Sequence, residues 1–154
     1  MKVIVITGGS RGIGASAAIQ CAQQGMGVIL TYKHQPEAAA SVVERIETFG
    51  GKAVALALDV SDANGFAAFR DAVRRTLAST WGASSLAGLV NNAGHGLFNP
   101  LETVTQDQFD GLMNVHLKGP FFLTQALLPL LAEGASIVNL TSATTRVATA
   151  GVAP

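Results

Sequence analysis

Short aliphatic runs alternate along the chain with longer stretches in which apolar residues recur every three or four positions. The runs read as strands buried on both faces, and the longer period reads as helices lying on them. Val3 to Ile6 is β-branched and ends at Thr7-Gly8-Gly9, a buried strand entering a turn. A helix of small residues is expected from about Gly12 to Gln24, with Ile13, Ala17 and Cys21 on one face. Val28-Ile29-Leu30 is a second strand, introduced by Gly25 and Gly27. Pro36, tolerated in a first helical turn, opens a helix with the stripe Ala39, Val42, Val43 and Ile46, ended by Gly50-Gly51.

Ala53 to Leu58 is a third strand, closing on Asp59-Val60. Ser61 then reads as the N-cap of a helix with Phe66, Phe69, Val73 and Leu77 on one side. Leu86 to Val90 is a fourth strand, ending at Asn91-Asn92-Ala93-Gly94. A long helical stretch from about Thr105 to Leu131 leads to a fifth strand, Ser136 to Leu140. Within that stretch Pro120 lacks an N–H and crowds the carbonyl of His116, so a kink is expected near Asn114. The alternation predicts an α/β fold: a doubly wound, Rossmann-type parallel sheet with right-handed crossovers and strand order 3-2-1-4-5.

Composition narrows the class. The 154 residues suit a single domain spanning 1–154, and 49% hydrophobic against 13% charged residues favours a large core. Ten basic and ten acidic residues cancel without long runs of one sign, so the footprint of a nucleic-acid binder is missing. No apolar run is long enough to span a bilayer, and the one at Val3 to Ile6 is too short for a signal peptide. The single Cys21 excludes an internal disulfide framework and fits a reducing compartment, so the cytoplasm is the expected location. No metal site is expected.

The chemistry begins at Thr7-Gly8-Gly9-Ser10-Arg11-Gly12-Ile13-Gly14, between the first strand and the first helix. A helix N-terminus offers free N–H groups and a positive dipole end to a pyrophosphate. Side chains would hold the phosphates away, so glycines at 8, 12 and 14 permit close approach. The context of strand, turn and helix separates this pattern from ordinary turn glycines.

The spacing G-x-x-x-G-x-G resembles the fingerprint of short-chain dehydrogenases/reductases, including 3-oxoacyl-reductase-like members, and differs from the usual Rossmann G-x-G-x-x-G. Asp59-Val60, Asn91-Asn92-Ala93-Gly94, Asn114 and Ser142 come in the family's order, so the resemblance covers essentially the whole chain. It implies an oxidoreductase that transfers a hydride between a nicotinamide dinucleotide and a small carbonyl or alcohol substrate. It implies that Thr7, Gly8, Ser10, Arg11, Gly12, Ile13 and Gly14 hold the cofactor. Asp59 would accept a hydrogen bond from the adenine amino group beside Val60, and equally suits a turn or cap aspartate. Ala93 and Gly94 would form a smooth floor, while Asn91 ties neighbouring strands together. Asn114 would serve a proton relay, holding a water on carbonyls freed by the kink; Ser142 would orient the substrate carbonyl, with Thr141 competing for that assignment. A homodimer or homotetramer is implied for the intact parent.

Cofactor choice rests on the end of the second strand. An acid there would bind a ribose diol and repel a 2′-phosphate, but Leu30-Thr31-Tyr32-Lys33-His34 contains none. Arg11 and Lys33 are cations that can meet a 2′-phosphate or stay solvated, and NADP(H) is favoured over NAD(H). His95 reads either as facing the substrate or as a solvated loop residue, whereas Cys21, Phe66 and Phe69 read as core.

The family's tyrosine and lysine, four residues apart, are not found: Tyr32 is the only tyrosine and Lys118 the last lysine. Counted from Ser142, the tyrosine is expected at or just past Pro154, so the domain is expected to be C-terminally incomplete, truncated before its last strands. If the chain truly ended at Pro154, the alternative is a catalytically inactive dinucleotide-binding or interaction module. Epimerases and dehydratases of nucleotide sugars carry G-x-x-G-x-x-G, which Gly8, Gly12 and Gly14 do not match.

Overall fold

Alternation along the first strand decides the layering, because successive strand residues point to opposite sides of a sheet. A computed structural model describes residues 1–143, 146, 147 and 151. In it β1 (Val3–Ile6) sends Val3 and Val5 into one core and Ile4 and Ile6 into another. Both cores are buried, so β1 is covered on both faces. Its neighbours are β2 (Gly27–Tyr32) and β4 (Leu86–Asn91); β3 (Ala53–Ala57) lies outside β2, and β5 (Leu131–Asn139) outside β4. All four pairings are parallel and the order is β3-β2-β1-β4-β5, as the alternation of elements predicts.

One face is covered by α1 (Gly12–Gln23) and α2 (Pro36–Glu47), which bring Ala18, Ala22, Ala39, Val42 and Ile46 to the core. The other is covered by α3 (Phe66–Thr76) and α5 (Gly119–Leu127), with Phe66, Phe69, Val73, Leu123 and Leu127. Helix α4 (Gln106–Met113) precedes α5, and its N-terminus carries a capping box. Thr105 accepts the N–H of Gln108, and the Gln108 side chain accepts the N–H of Thr105. Such caps contribute on the order of 1 kcal/mol.

Four local expectations are corrected. Helix α1 buries Gly14, Ala18 and Ala22 rather than Ile13, Ala17 and Cys21, and Ile13 is 70% exposed. The smallest residues turn inward because they let the helix approach the sheet closely. Ser61 caps no helix: its N–H and hydroxyl both bond Asp59, and Asp62 caps the tight turn before α3 by accepting the N–H of Asn64. The fifth strand starts earlier than Ser136. Leu131 pairs with Leu86 and Ser136 with Gly88, so residues 132–135 bulge opposite Ala87, with Gly134 at φ 75°. The long helix is not kinked at proline alone. Asn114–Lys118 form a π-helical turn between α4 and α5, which places Pro120 in the first turn of α5.

Gly119 explains where α5 sits. A Cβ there would run into the carbonyl oxygen of Val60, so the two backbones touch directly. Gly119→Ala is therefore expected to destabilise the fold by about 1–3 kcal/mol, since no side chain can yield. An unchanged urea midpoint would show that α5 does not seat against Val60.

Candidate functional site

A parallel sheet puts the carboxyl ends of all its strands along one edge, where open α/β sheets bind ligands. The turns after β1, β2, β3 and β4, and Ser142 beyond β5, therefore all lie along that edge.

The turns after β1 and β4 are joined through Thr7, which is only 1% exposed. Its hydroxyl accepts the N–H groups of Asn92 (3.0 Å) and Ala93 (3.0 Å) and donates to the Val90 carbonyl (3.3 Å). That is a hydroxyl's full complement of one donor and two acceptors. In return, Asn92 Nδ2 donates to the carbonyls of Thr7 (2.8 Å) and Gly8 (3.1 Å). Thr31 of β2 holds the other side: its hydroxyl accepts the Gly8 N–H at 3.2 Å and its carbonyl accepts the Gly9 N–H at 2.8 Å. Gly14 is required by contact, because a Cβ there would strike the Gly8 carbonyl and the Asn92 amide.

This frame presents the N-terminus of α1 to solvent. Arg11, the residue before the helix, is extended (φ −156°, ψ 170°) and makes no side-chain cap. Gly12 has φ 56° and open space around it, and Arg11, Gly12 and Ile13 are exposed. Ser10 is half-buried behind them. An uncapped helix start with an open glycine and two exposed flanking side chains is shaped to receive an anion.

At the other end of the edge, Lys33 Nζ lies 2.7 Å from Asp59 Oδ2, and both side chains are partly exposed. They line an open groove with His34, Leu58, Asp62 and Phe69. Asp59 also accepts the Ser61 N–H at 2.9 Å and its hydroxyl at 2.6 Å. The Val60 side chain is buried in the core.

Asn91 and Asn114 occupy different settings. Asn91 Nδ2 donates to Asn139 Oδ1 at 2.8 Å, bridging β4 and β5. Asn114 opens the π-helical turn and is half-buried. Ser142 is exposed and has an interaction partner. Gly94 is exposed, and on its Cβ side it meets the imidazole of His116, whose Cε1 would lie 2.6 Å from an added Cβ.

Three further contributors differ in how far the sequence signals them. Thr31 carries a signal, a hydroxyl that directly follows the aliphatic run Val28-Ile29-Leu30. Asn92 carries one too, as part of the Asn-Asn turn. His116 carries none, because its contact with Gly94 crosses from one element to another. Among the described residues, no cluster of three or more His, Cys, Asp or Glu could hold a metal ion, and no helix is long and apolar enough to cross a membrane.

A doubly wound parallel sheet with a glycine turn, an uncapped helix start and an Asn-Asn turn on its carboxyl edge has the Rossmann-type architecture. The chain matches the short chain dehydrogenase family over residues 2–154, and it belongs to that family. It is 36% identical over 144 residues to Elsinochrome reductase 1 of Elsinoe fawcettii, covering 93% of this chain and 51% of the relative. It is 35% identical over 145 residues to Versicolorin reductase 1 of Aspergillus parasiticus, covering 94% and 52%. Among solved structures, the angucycline C-6 ketoreductase LanV with bound NADP superposes with a TM-score of 0.94 at 36% identity, covering 98% of this chain and 59% of that one. A metagenomic short-chain oxidoreductase in complex with NADP gives 0.85 at 35% identity, covering 98% and 66%. The chain thus spans about half the length of these two curated relatives.

The electrostatics of Asp59 yield a pH dependence. Partial burial alone pushes its carboxyl up, but hydrogen bonds from Lys33 and Ser61 and the Lys33 charge outweigh this and hold it below its ordinary value. The folded pKa lies below the unfolded value of about 3.9, so the ionised group stabilises the fold above that pH. The contribution is lost as pH falls through the folded pKa. Asp59→Asn is expected to lower the urea midpoint at neutral pH, with the deficit closing below about pH 4. Curves that stay parallel through the acid range would show that the carboxylate is not held in this way.

Proposed function

We propose that the protein is an NADP(H)-dependent reductase that interconverts a small carbonyl compound and its alcohol. The observation that carries this is the Thr7–Asn92 frame, which fixes the glycine turn and leaves the α1 N-terminus open beside it. The NADP bound in two similar structures, LanV and the metagenomic oxidoreductase, supports the choice of cofactor.

The residues present fit that cofactor. Space at Gly12 and the N–H groups of the first α1 turn suit the pyrophosphate. Arg11 and Lys33 are the cations for the 2′-phosphate, in the absence of an acid at the end of β2. Asp59 takes the adenine amino group, alongside Val60, and Ala93 and Gly94 line the floor. When bound, the nicotinamide supplies or accepts the hydride. Ser142 donates a hydrogen bond to the substrate carbonyl and orients it. Asn114 holds a relay water at the π-helical turn, so that a proton can reach the carbonyl oxygen from solvent. Tyr32, the only tyrosine, sits in β2 and is not the acid for this step.

Assembly and location complete the reading. Leu117, Phe121 and Leu128 are exposed along and beside α5, and they support a homodimer or homotetramer. The single Cys21 leaves no internal disulfide framework, which accords with a reducing, cytoplasmic setting.

Titration of the protein with NADPH and NADH, monitored by cofactor fluorescence, tests the cofactor. NADPH is expected to bind more tightly, and Lys33→Ala or Arg11→Ala to weaken NADPH roughly tenfold while leaving NADH little changed. Equal affinities would sink the NADP assignment. With a panel of ketones, Ser142→Ala is expected to slow turnover roughly a hundredfold with NADPH affinity unchanged. Undiminished turnover would remove Ser142 from the chemistry. NADPH binding without reduction of any ketone would favour a binding module instead.

A further inference from the structure

The imidazole of His116 joins the π-helical turn to the segment that follows β4. His116 belongs to the π-helical turn that begins at Asn114. Its Nε2 lies 2.7 Å from the carbonyl oxygen of His95, in the segment after the Ala93-Gly94 floor. The His95 N–H also lies 3.3 Å from the same nitrogen. One ring nitrogen cannot donate to the carbonyl and accept from the amide at once, and the shorter contact decides. Nε2 therefore carries the proton and donates it. The ring also fills the space a side chain at Gly94 would take, with its Cε1 2.6 Å from that Cβ position. The His95 ring leans over it at 58°, with centroids 5.7 Å apart.

We propose that His116 is a positioning residue: a clamp that holds the turn after β4 against the π-helical turn, so that the Gly94 floor and Asn114 keep a fixed relation. Gly94 is glycine because the clamp's ring occupies the place of its side chain. The role in cofactor binding rests on the reading of Ala93 and Gly94 as the cofactor floor; the clamp itself does not.

Hydrogen–deuterium exchange of the ligand-free protein, read on peptides covering 92–98, tests the clamp. His116 is exposed, so His116→Ala is expected to fold, and thermal unfolding checks this. Exchange should rise roughly threefold to tenfold on losing one hydrogen bond. His116→Gln, whose amide N–H can take the place of Nε2–H, should restore most of the protection. Gly94→Ala should displace the ring and match His116→Ala, and the double variant should be no worse than either single one. NADPH affinity, measured on the same proteins, should weaken in step with exchange and recover in His116→Gln. Unchanged exchange in His116→Ala, or additive single variants, would overturn the clamp. Raised exchange with full NADPH affinity would overturn its positioning role. If the wild-type protein binds no NADPH, the cofactor reading fails, and the exchange data still decide the clamp.

Discussion

One hydroxyl organises the carboxyl edge of the sheet. The side chain of Thr7 uses every hydrogen bond it can make to tie the end of β1 to the turn after β4, and Asn92 returns two more. The turn after β4 is irregular, so its amides at Asn92 and Ala93 have no strand or helix partner. Thr7 supplies those partners in a buried place where an unmade bond costs about 1–3 kcal/mol. The geometry of the glycine turn is a consequence. Gly8 is held between Thr31 and Asn92, Gly14 is pressed against Gly8, and the start of α1 is aimed along the edge. The open N-terminus depends on how firmly everything behind it is bonded.

A second organising element is the helix junction on the opposite face. An unbroken α-helix from Gln106 would present its residues in one regular progression. The wider turn at Asn114–Lys118 changes the rotational phase of α5 relative to α4. It lets Gly119 press on the backbone after β3 while His116 reaches the turn after β4. Three strand ends are thereby referenced to one another: β1 to β4 through Thr7, and β3 and β4 through the junction.

How much of this was legible depends on the range of the interactions. Strand order and layering were legible because each strand is a compact aliphatic run and each turn carries Gly or Asn. The α2 stripe was legible because its large residues leave one possible buried face. In α1, where small residues surround the helix, hydrophobicity pointed to Ile13, while close packing selected Gly14, Ala18 and Ala22. Ser61 and Asp62 are both good caps, and Ser61 is engaged by Asp59, whose other carboxylate oxygen meets Lys33. Pro120 signalled that the long helix would depart from regularity, but a kink and a π-helical turn begin with the same missing N–H. The pairing of Gly94 with His116 had no local signature at all.

At the opposite end of β2, its first residue meets an aromatic ring. A Cβ on Gly27 would lie 2.6 Å from Nε1 of Trp81, so the indole lies flush against the strand. Its N–H is buried and has no acceptor among the described residues. The other five residues of β2 separate this place from Lys33 at the carboxyl edge, roughly 20 Å away at 3.3 Å per residue. Trp81 is the only tryptophan in the chain. Its emission spectrum is thus a built-in gauge of sheet integrity, sited at the amino edge and free of direct contact with any ligand at the carboxyl edge.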